Sequence, residues 1–346
     1  MDFIEINAAS RIPKYRQVCN SIEAGIREQQ LLLGDRILSI NRFSETYDIS
    51  RDTVEKAYNY LRAKNIIASV KGKGYYVART NLAVRLYVLF VANKLSKYEM
   101  GVYNAFVQAL GRQNAKVDIE IFHSESQVFK DILNKNKGLY DYYVIMPHFK
   151  DGELGSRGCT KEILEAMQEI PTHQLILLDQ EVQNFSDSVG KIFQDYEQDI
   201  YDALTEGLEK LKKYHKMILV YPSTSPYPYP REIVLGFKMF CDHHGFEYEI
   251  LDQIHDGMSL ELKSLYFIIE EEDLVNLVKQ ARNQCYERGK DIGIISYNDS
   301  PLEELLGITV MTRDGRKMGA TAAEMILAKR HYFVRNEFHT IIRQSS

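Results

Sequence analysis

The stretch DISRDTVEKAYNYLRAKNIIASVKGKGYYV, residues 48–77, limits the folds open to this chain more tightly than any other segment. It sets a short amphipathic helix ahead of two short apolar strands joined by a glycine turn. Ser50 can cap the helix, because its hydroxyl accepts from an orphan amide of the first turn, and Val54, Ala57, Tyr58 and Leu61 repeat at helical spacing as a buried stripe. Arg51, Asp52, Thr53, Glu55, Lys56 and Asn59 are left on the other face. Hydrogen-bonding groups therefore crowd the helix N-terminus, the end that enters a major groove in helix-turn-helix proteins. Ile66 and Ile67 lead into expected strands at 68–70 and 75–77, and Gly72 and Gly74 permit the reversal between them. Lys71 and Lys73 put ammonium groups at the hairpin tip, where they can displace counterions from phosphates or reach a minor groove.

Upstream, Tyr15, Val18, Ile22 and Ile26 form another helical stripe. Gly34-Asp35 breaks the chain before a short helix capped by Ser39 and anchored by Phe43 and Tyr47. Three helices followed by a wing resemble, over residues 11–78, the DNA-binding domain of the GntR family of bacterial transcription regulators. The elements that carry the likeness are Pro13 with Tyr15, Gly34-Asp35-Arg36, Ser50-Arg51 with Thr53-Val54, and the glycine wing. The resemblance implies backbone contacts from Ser39, Asn41, Arg42 and the helix they begin. It implies a groove-facing set of Ser50, Arg51, Asp52, Thr53 and Lys56, and a wing tip of Gly72, Lys73 and Gly74. The chain departs from the family pattern at Asn41, where arginine is common, and at Asp52 and Glu55, where threonine and arginine are common. Acids facing phosphates repel, so Asp52 is expected to accept from a cytosine amine and Glu55 to pair with a neighbouring cation.

Charge divides the chain in the same place. Residues 1–80 carry 13 Lys and Arg against 9 Asp and Glu, a net of +4, which leaves 30 against 39, a net of −9, in the remainder. A basic head on an acidic body is what one expects when only the head approaches a polyanion. No apolar run of about eighteen residues and no basic start followed by an apolar core occurs, so a cytoplasmic protein with no membrane partner is expected. Cys19, Cys159, Cys241 and Cys285 are too scattered for a disulfide framework or a zinc knuckle.

Beyond a linker expected at 79–83, residues 84–346 alternate between apolar runs and helical patterns. Runs at 84–92, 117–122, 142–146, 175–178, 217–221, 248–251, 266–269 and 292–296 are expected strands; helices are expected at 98–112, 127–135, 160–169, 196–213, 230–244 and 273–288. The fold class is therefore α/β: a winged helix-turn-helix at 1–78, then a two-lobed parallel-sheet domain at this length. Ligands bind at the carboxyl ends of parallel strands. Asn93, Asp179, the Glu270-Glu271-Glu272 run and Asn298-Asp299 follow such strands, and Arg231 opens a later helix. Bidentate acceptors with one guanidinium suit a neutral polyol. Tyr221, Tyr227 and Tyr229 lie in a proline-broken loop near the same ends and are as suited to packing as to stacking on a sugar.

A second resemblance enters on DIGIISYNDSPLEELL, ITVMTRDGRKMGATAAEMIL and REIVLGFKMFCDHHG. These look like the effector domain of LacI-type repressors, which shares the periplasmic sugar-binding fold, over residues 84–343. The likeness implies effector contacts at Asp179, Arg231, Glu271 and Asn298, with Asp299 as the alternative to Asn298, and the strand-end position adds Asn93 as a candidate. Enzyme motifs are missing: His243-His244 with Glu247 lacks metalloprotease spacing, and no phosphate loop or nucleophile elbow occurs. The expectation is a homodimeric regulator that binds operator DNA and a small effector, a monosaccharide or similar polyol, with no cofactor, no metal and no catalysis. The alternative is an α/β enzyme acting on a sugar-like metabolite with an attached DNA-binding head.

Overall fold

The computed structural model describes residues 3–4, 6–7, 12–80, 86–111, 115–149, 159–182, 185–186, 188–227 and 229–346. Most of the expected linker, residues 81–83, lies outside them, as do Val84 and Arg112 at the ends of two expected elements. The chain resolves into two compact units, one comprising Met1–Leu89, Gly111–Asp118 and Asp131–Tyr143, the other Phe90–Leu110, Ile119–Lys130 and Val144–Ser346.

The first unit begins with α1 (Lys14–Arg27), β1 (Arg36–Ile37), α2 (Ile40–Tyr47), α3 (Arg51–Ala63), β2 (Ile67–Val70) and β3 (Gly74–Val77). Val18, Ile22, Phe43, Val54, Tyr58 and Leu61 are fully buried together, so the stripes that define the three helices also form their shared core. The Tyr58 hydroxyl is satisfied by donating to the Leu38 carbonyl at 2.7 Å. The wing is a three-stranded antiparallel sheet in the order β1-β3-β2. Its third strand is only two residues long, too short for a periodic signal in sequence.

From residue 86 the elements are β4 (Leu86–Ala92), α4 (Lys97–Leu110), β5 (Ala115–Ile121), α5 (Ser126–Asn136), β6 (Tyr142–Ile145), α6 (Lys161–Gln168), β7 (Leu175–Asp179) and β8 (Gly190–Phe193). Next come α7 (Tyr196–Glu206), α8 (Leu208–Leu211), β9 (Lys216–Val220), α9 (Glu232–His244), β10 (Glu247–Leu251), β11 (Ser264–Ile268), α10 (Glu271–Asn283) and β12 (Gly293–Ser296). The chain closes with α11 (Pro301–Leu306), β13 (Thr309–Arg313), α12 (Gly315–Ala328), β14 (Phe333–Arg335) and β15 (Phe338–Ile341). Two six-stranded sheets result, ordered β14-β8-β7-β6-β4-β5 and β10-β9-β11-β12-β13-β15. In the second sheet, β9 to β13 run parallel and β15 is antiparallel to β13.

Both faces of the second sheet are covered, which is why its central strands read as unbroken apolar runs. Met217, Leu219, Leu265 and Phe267 pack under α7 and α9, while Ile218, Val220, Tyr266 and Ile268 pack under α10. The chain changes sheet three times, after β8, after β13 and after β14. The crossings are stitched together: the Asn336 amide donates to the Phe193 carbonyl at 2.7 Å, and the Asp314 amide to the Glu337 carbonyl at 3.0 Å.

The run at 292–296 is not the last strand. β13, β14 and β15 follow it, and β8 precedes α7; none of the short strands β8, β14 and β15 is apolar throughout, so their sequences carry little strand signal. The helix expected over 196–213 is broken in two at Gly207.

α12 lies against α4 with a glycine at the contact. A Cβ on Gly319 would collide with the Val102 carbonyl oxygen and stand 2.9 Å from the Phe106 amide nitrogen, both of them backbone atoms that cannot rotate away. Gly319→Ala should therefore lower stability by about 1–3 kcal/mol through overpacking, read as a lower midpoint in urea unfolding; an unchanged midpoint would contradict this helix contact.

Candidate functional site

Two surfaces carry the chemistry. In the head, Ser39 caps α2, its hydroxyl accepting from the Arg42 amide at 3.3 Å, and Asp48 ends that helix in the left-handed region at φ 49°. Ser50 caps α3, accepting from the Thr53 amide at 3.4 Å, with its hydroxyl 2.7 Å from that of Thr53. Asn41, Arg42, Arg51, Asp52, Glu55 and Lys56 are all exposed. The Lys56 ammonium lies 4.4 Å from the centre of the Tyr15 ring. At the wing, Gly72 (φ 75°) and Gly74 (φ 105°) adopt conformations that side chains disfavour, and the Tyr76 hydroxyl braces the tip by donating to the Lys73 carbonyl at 3.1 Å. Lys71 and Lys73 are exposed there. Arg36 of β1 reaches the same place, with its Nε 3.5 Å from where a Gly74 Cβ would stand.

The second surface is a cleft of about 950 Å³ at the carboxyl ends of strands from both sheets. Lys94, Lys97 and Tyr98 line it from the segment after β4, and Tyr229, Glu270, Glu271, Asn298, Asp299 and Thr312 from the segments after β9, β11, β12 and from β13. Lys97 and Glu271 meet across it at 3.0 Å, but both side chains are more than half exposed, so the pair adds little to stability. The Lys94 ammonium stands 5.2 and 5.3 Å from the centres of the Tyr227 and Tyr229 rings, and burial lowers its pKa.

Behind the cleft is a buried ionic knot. Asp179, the last residue of β7, is 1% exposed and sits at φ 72°. Its carboxylate accepts from Arg313 Nη1 at 2.8 Å and from the Tyr98 hydroxyl at 3.1 Å, and lies 2.9 Å from His148 Nε2. The Arg313 guanidinium stacks 3.6 Å from the Tyr98 ring centre and also donates to the Tyr196 hydroxyl at 3.2 Å. Burial opposes ionisation of Asp179, yet the Arg313 charge and the His148 hydrogen bond outweigh it and hold the carboxyl well below its ordinary 3.8. Burial, with Asp179 beside it, pushes the Tyr98 phenol up, so it remains a donor.

The residues expected to contact an effector are thus dispersed. Glu271, Asn298 and Asp299 line the cleft. Asp299 accepts from Arg343 at 3.0 Å. Asp179 is enclosed by its partners. Asn93 is 3% exposed, donates to the Ser124 hydroxyl at 3.4 Å, and is not among the described lining residues. Arg231 is exposed ahead of α9 and is likewise not among them. The guanidinium groups that do reach the cleft are those of Arg316, in the first turn of α12, and of Arg313, at the end of β13, a strand the sequence pattern did not reveal.

Residues 14–77 match the bacterial regulatory proteins of the gntR family. The head is a GntR-type helix-turn-helix domain. Two curated relatives from Bacillus subtilis are uncharacterized HTH-type transcriptional regulators: YydK, 25% identical over 117 residues, and YdfD, 26% identical over 138. Those matches take in 34% and 40% of this chain but only 41% and 26% of the two relatives. The fold of the remainder matches solved structures of LacI-type regulators. The trehalose repressor of Escherichia coli aligns at a TM-score of 0.58 and 14% identity, over 74% of this chain and 99% of that one. A LacI-family regulator from Lactobacillus casei with bound glucose aligns at 0.58 and 15%, over 75% and 100%. The same regulator with bound sucrose aligns at 0.59 and 14%, over 75% and 99%. The expected architecture, a GntR-type head on a two-lobed LacI-like fold, is the one observed. No helix among the described residues is long and apolar enough to cross a membrane.

Two outcomes follow from this geometry. Lys73→Ala should make the slope of log affinity for DNA against log salt shallower by about 0.9, the share of one phosphate contact, measured by anisotropy across a salt series; an unchanged slope would remove the wing tip from the interface. Asp179→Ala strands a buried guanidinium and should cost about 3–5 kcal/mol at pH 7. Because the folded-state pKa is depressed, Asp179's contribution is whole above 3.8 and is lost as the pH falls below that value. Unfolding midpoints of wild type and variant should therefore converge only on the acid side; a constant difference down to pH 3 would refute the ionised pair.

Proposed function

We propose that this chain is a ligand-responsive transcription regulator. Its head, residues 1–78, binds operator DNA, and residues 84–346 take a sugar or similar small polyol, a monosaccharide in the first instance, into the cleft between the lobes. The observation that carries this reading is the union of a GntR-type head with a cleft rimmed by amide, carboxylate and phenol groups. Such groups suit hydroxyls that both donate and accept, and tyrosines offer a face to a sugar ring. Seven acids line the cleft against two lysines and two arginines, and one of those arginines is held by Asp179, which disfavours a phosphorylated ligand. Glucose and sucrose in the Lactobacillus casei neighbour support the same chemical class. The curated relatives are regulators, in keeping with a non-catalytic role. A homodimer in the cytoplasm is part of the proposal, because one short helix and one wing bury little surface and two heads on a palindrome supply the usual specific affinity.

Contacts within the first unit support a route from the ligand-binding part to the head. The Lys64 ammonium, just after α3, lies 3.5 Å from the centre of the Tyr87 ring at the start of β4 and 4.3 Å from that of Tyr60. Arg16 of α1 stacks on the same two rings at 5.9 and 4.8 Å. Burial and the Arg16 charge draw the Lys64 pKa down to about 8. A strand that shifts on ligand binding would therefore move cations packed against the recognition helix.

Calorimetric titration of the full chain with neutral mono- and disaccharides should find a binder, and that binder should change operator affinity by about 5- to 150-fold. Tyr87→Ala should keep both affinities but bring the change below about twofold. Absence of binding by any neutral carbohydrate, together with intact operator binding, would refute the sugar reading.

A further inference from the structure

Three side chains from two crossing segments converge at the rim of the cleft. Asp314 leads from β13 into α12, Glu337 and His339 belong to the segment that enters β15, and one donor atom from each lies within 4.8 Å of the others. The scaffold beneath them is fixed, since the Asp314 amide donates to the Glu337 carbonyl at 3.0 Å and Thr312 pairs with His339 across β13 and β15. Asp314 is also oriented: its Oδ1 accepts from the Lys317 amide at 2.7 Å, which leaves Oδ2 to face His339.

Asp314 Oδ2 and Glu337 Oε2 each stand 3.5 Å from the same atom, Nε2 of His339. A charge-assisted hydrogen bond would have closed to about 2.8 Å. The edge of a tetrahedron whose corners lie about 2.1 Å from its centre is about 3.4 Å, and 2.1 Å is an ordinary bond length from zinc to imidazole nitrogen or carboxylate oxygen. The two edges that meet at His339 therefore match such a tetrahedron better than they match direct pairing, and the third is no longer than 4.8 Å.

We propose that Asp314, Glu337 and His339 bind a divalent transition-metal cation of the zinc class, with the remaining coordination position open. The side chains are 30, 56 and 47% exposed, so an ion can enter from solvent without rearrangement of the fold. Asp314 and His339 also line the cleft, which puts the ion within reach of whatever occupies it. Bound there, it would tie the start of α12 to β15 and join two of the three crossings between the sheets. The site does not depend on the identity of the effector.

The test is titration of the metal-free full chain with zinc chloride alone, by calorimetry and by thermal unfolding. Wild type should take up one tight equivalent and unfold at a higher temperature when loaded. His339→Ala and Glu337→Gln, both exposed substitutions that spare the core, should each lose that equivalent or weaken it at least about tenfold, and should lose the thermal shift. His243→Ala, which alters an exposed histidine elsewhere in the second unit, should change neither. Uptake that survives both rim substitutions, or no uptake by wild type, would overturn the proposal and leave His339 simply flanked by two carboxylates.

Discussion

The contact between Asp179 and Arg313 is the constraint on which the two-sheet domain depends. Two charges separated by 134 positions in sequence are buried together where the ends of β7 and β13 meet, one strand from each sheet. Neither charge is tolerable there alone, because a buried ion without a partner is penalised by several kcal/mol. Tyr98, Tyr196 and His148 complete the shell. The pair therefore sets which residues face the cleft and which are spent in holding it. It also accounts for the left-handed backbone at Asp179, a conformation that persists only where its surroundings over-determine it.

Around that knot, the chain crosses three times between the sheets. Each crossing joins the two sheets, so under the proposed function a ligand touching both rims would bear on their relation. In the first unit, Tyr87 at the start of β4 lies under Lys64 and Arg16, beside the helix whose N-terminus carries Arg51 and Thr53. If the protein binds as the proposed dimer, a small reorientation of the head would change its fit to paired half-sites, since half-site spacing is a geometric requirement.

The head was legible because everything that specifies it is local. Ser39 and Ser50 cap helices that start one residue later, and the stripe from Val54 to Leu61 is the stripe that is buried. The buried strands β4, β7 and β11 were legible as continuous apolar runs. β8, β14 and β15 were not, because each is only three or four residues long and contains a polar side chain, and β1 is two residues long. Failure to see β13 had a larger effect on the site. The rule that pointed to Asp179 and Asn298, polar residues at the carboxyl ends of parallel strands, points equally to Arg313 once Thr309–Arg313 is recognised as a strand. Instead Arg231 stood in for the cleft's guanidinium by resemblance, and the structure leaves it exposed ahead of α9. The grouping of Asp314, Glu337 and His339 is non-local in the same way, assembled by the antiparallel pairing of β13 and β15.

Coupling between cleft and head is thermodynamic and must be reciprocal. The most direct measurement is the affinity of the sugar for the free protein and for the protein saturated with operator DNA, made by calorimetry at one salt concentration. The account predicts two different affinities, whose ratio equals the factor by which the sugar alters operator binding. Equal sugar affinities with and without DNA, alongside tight binding of both ligands, would contradict it.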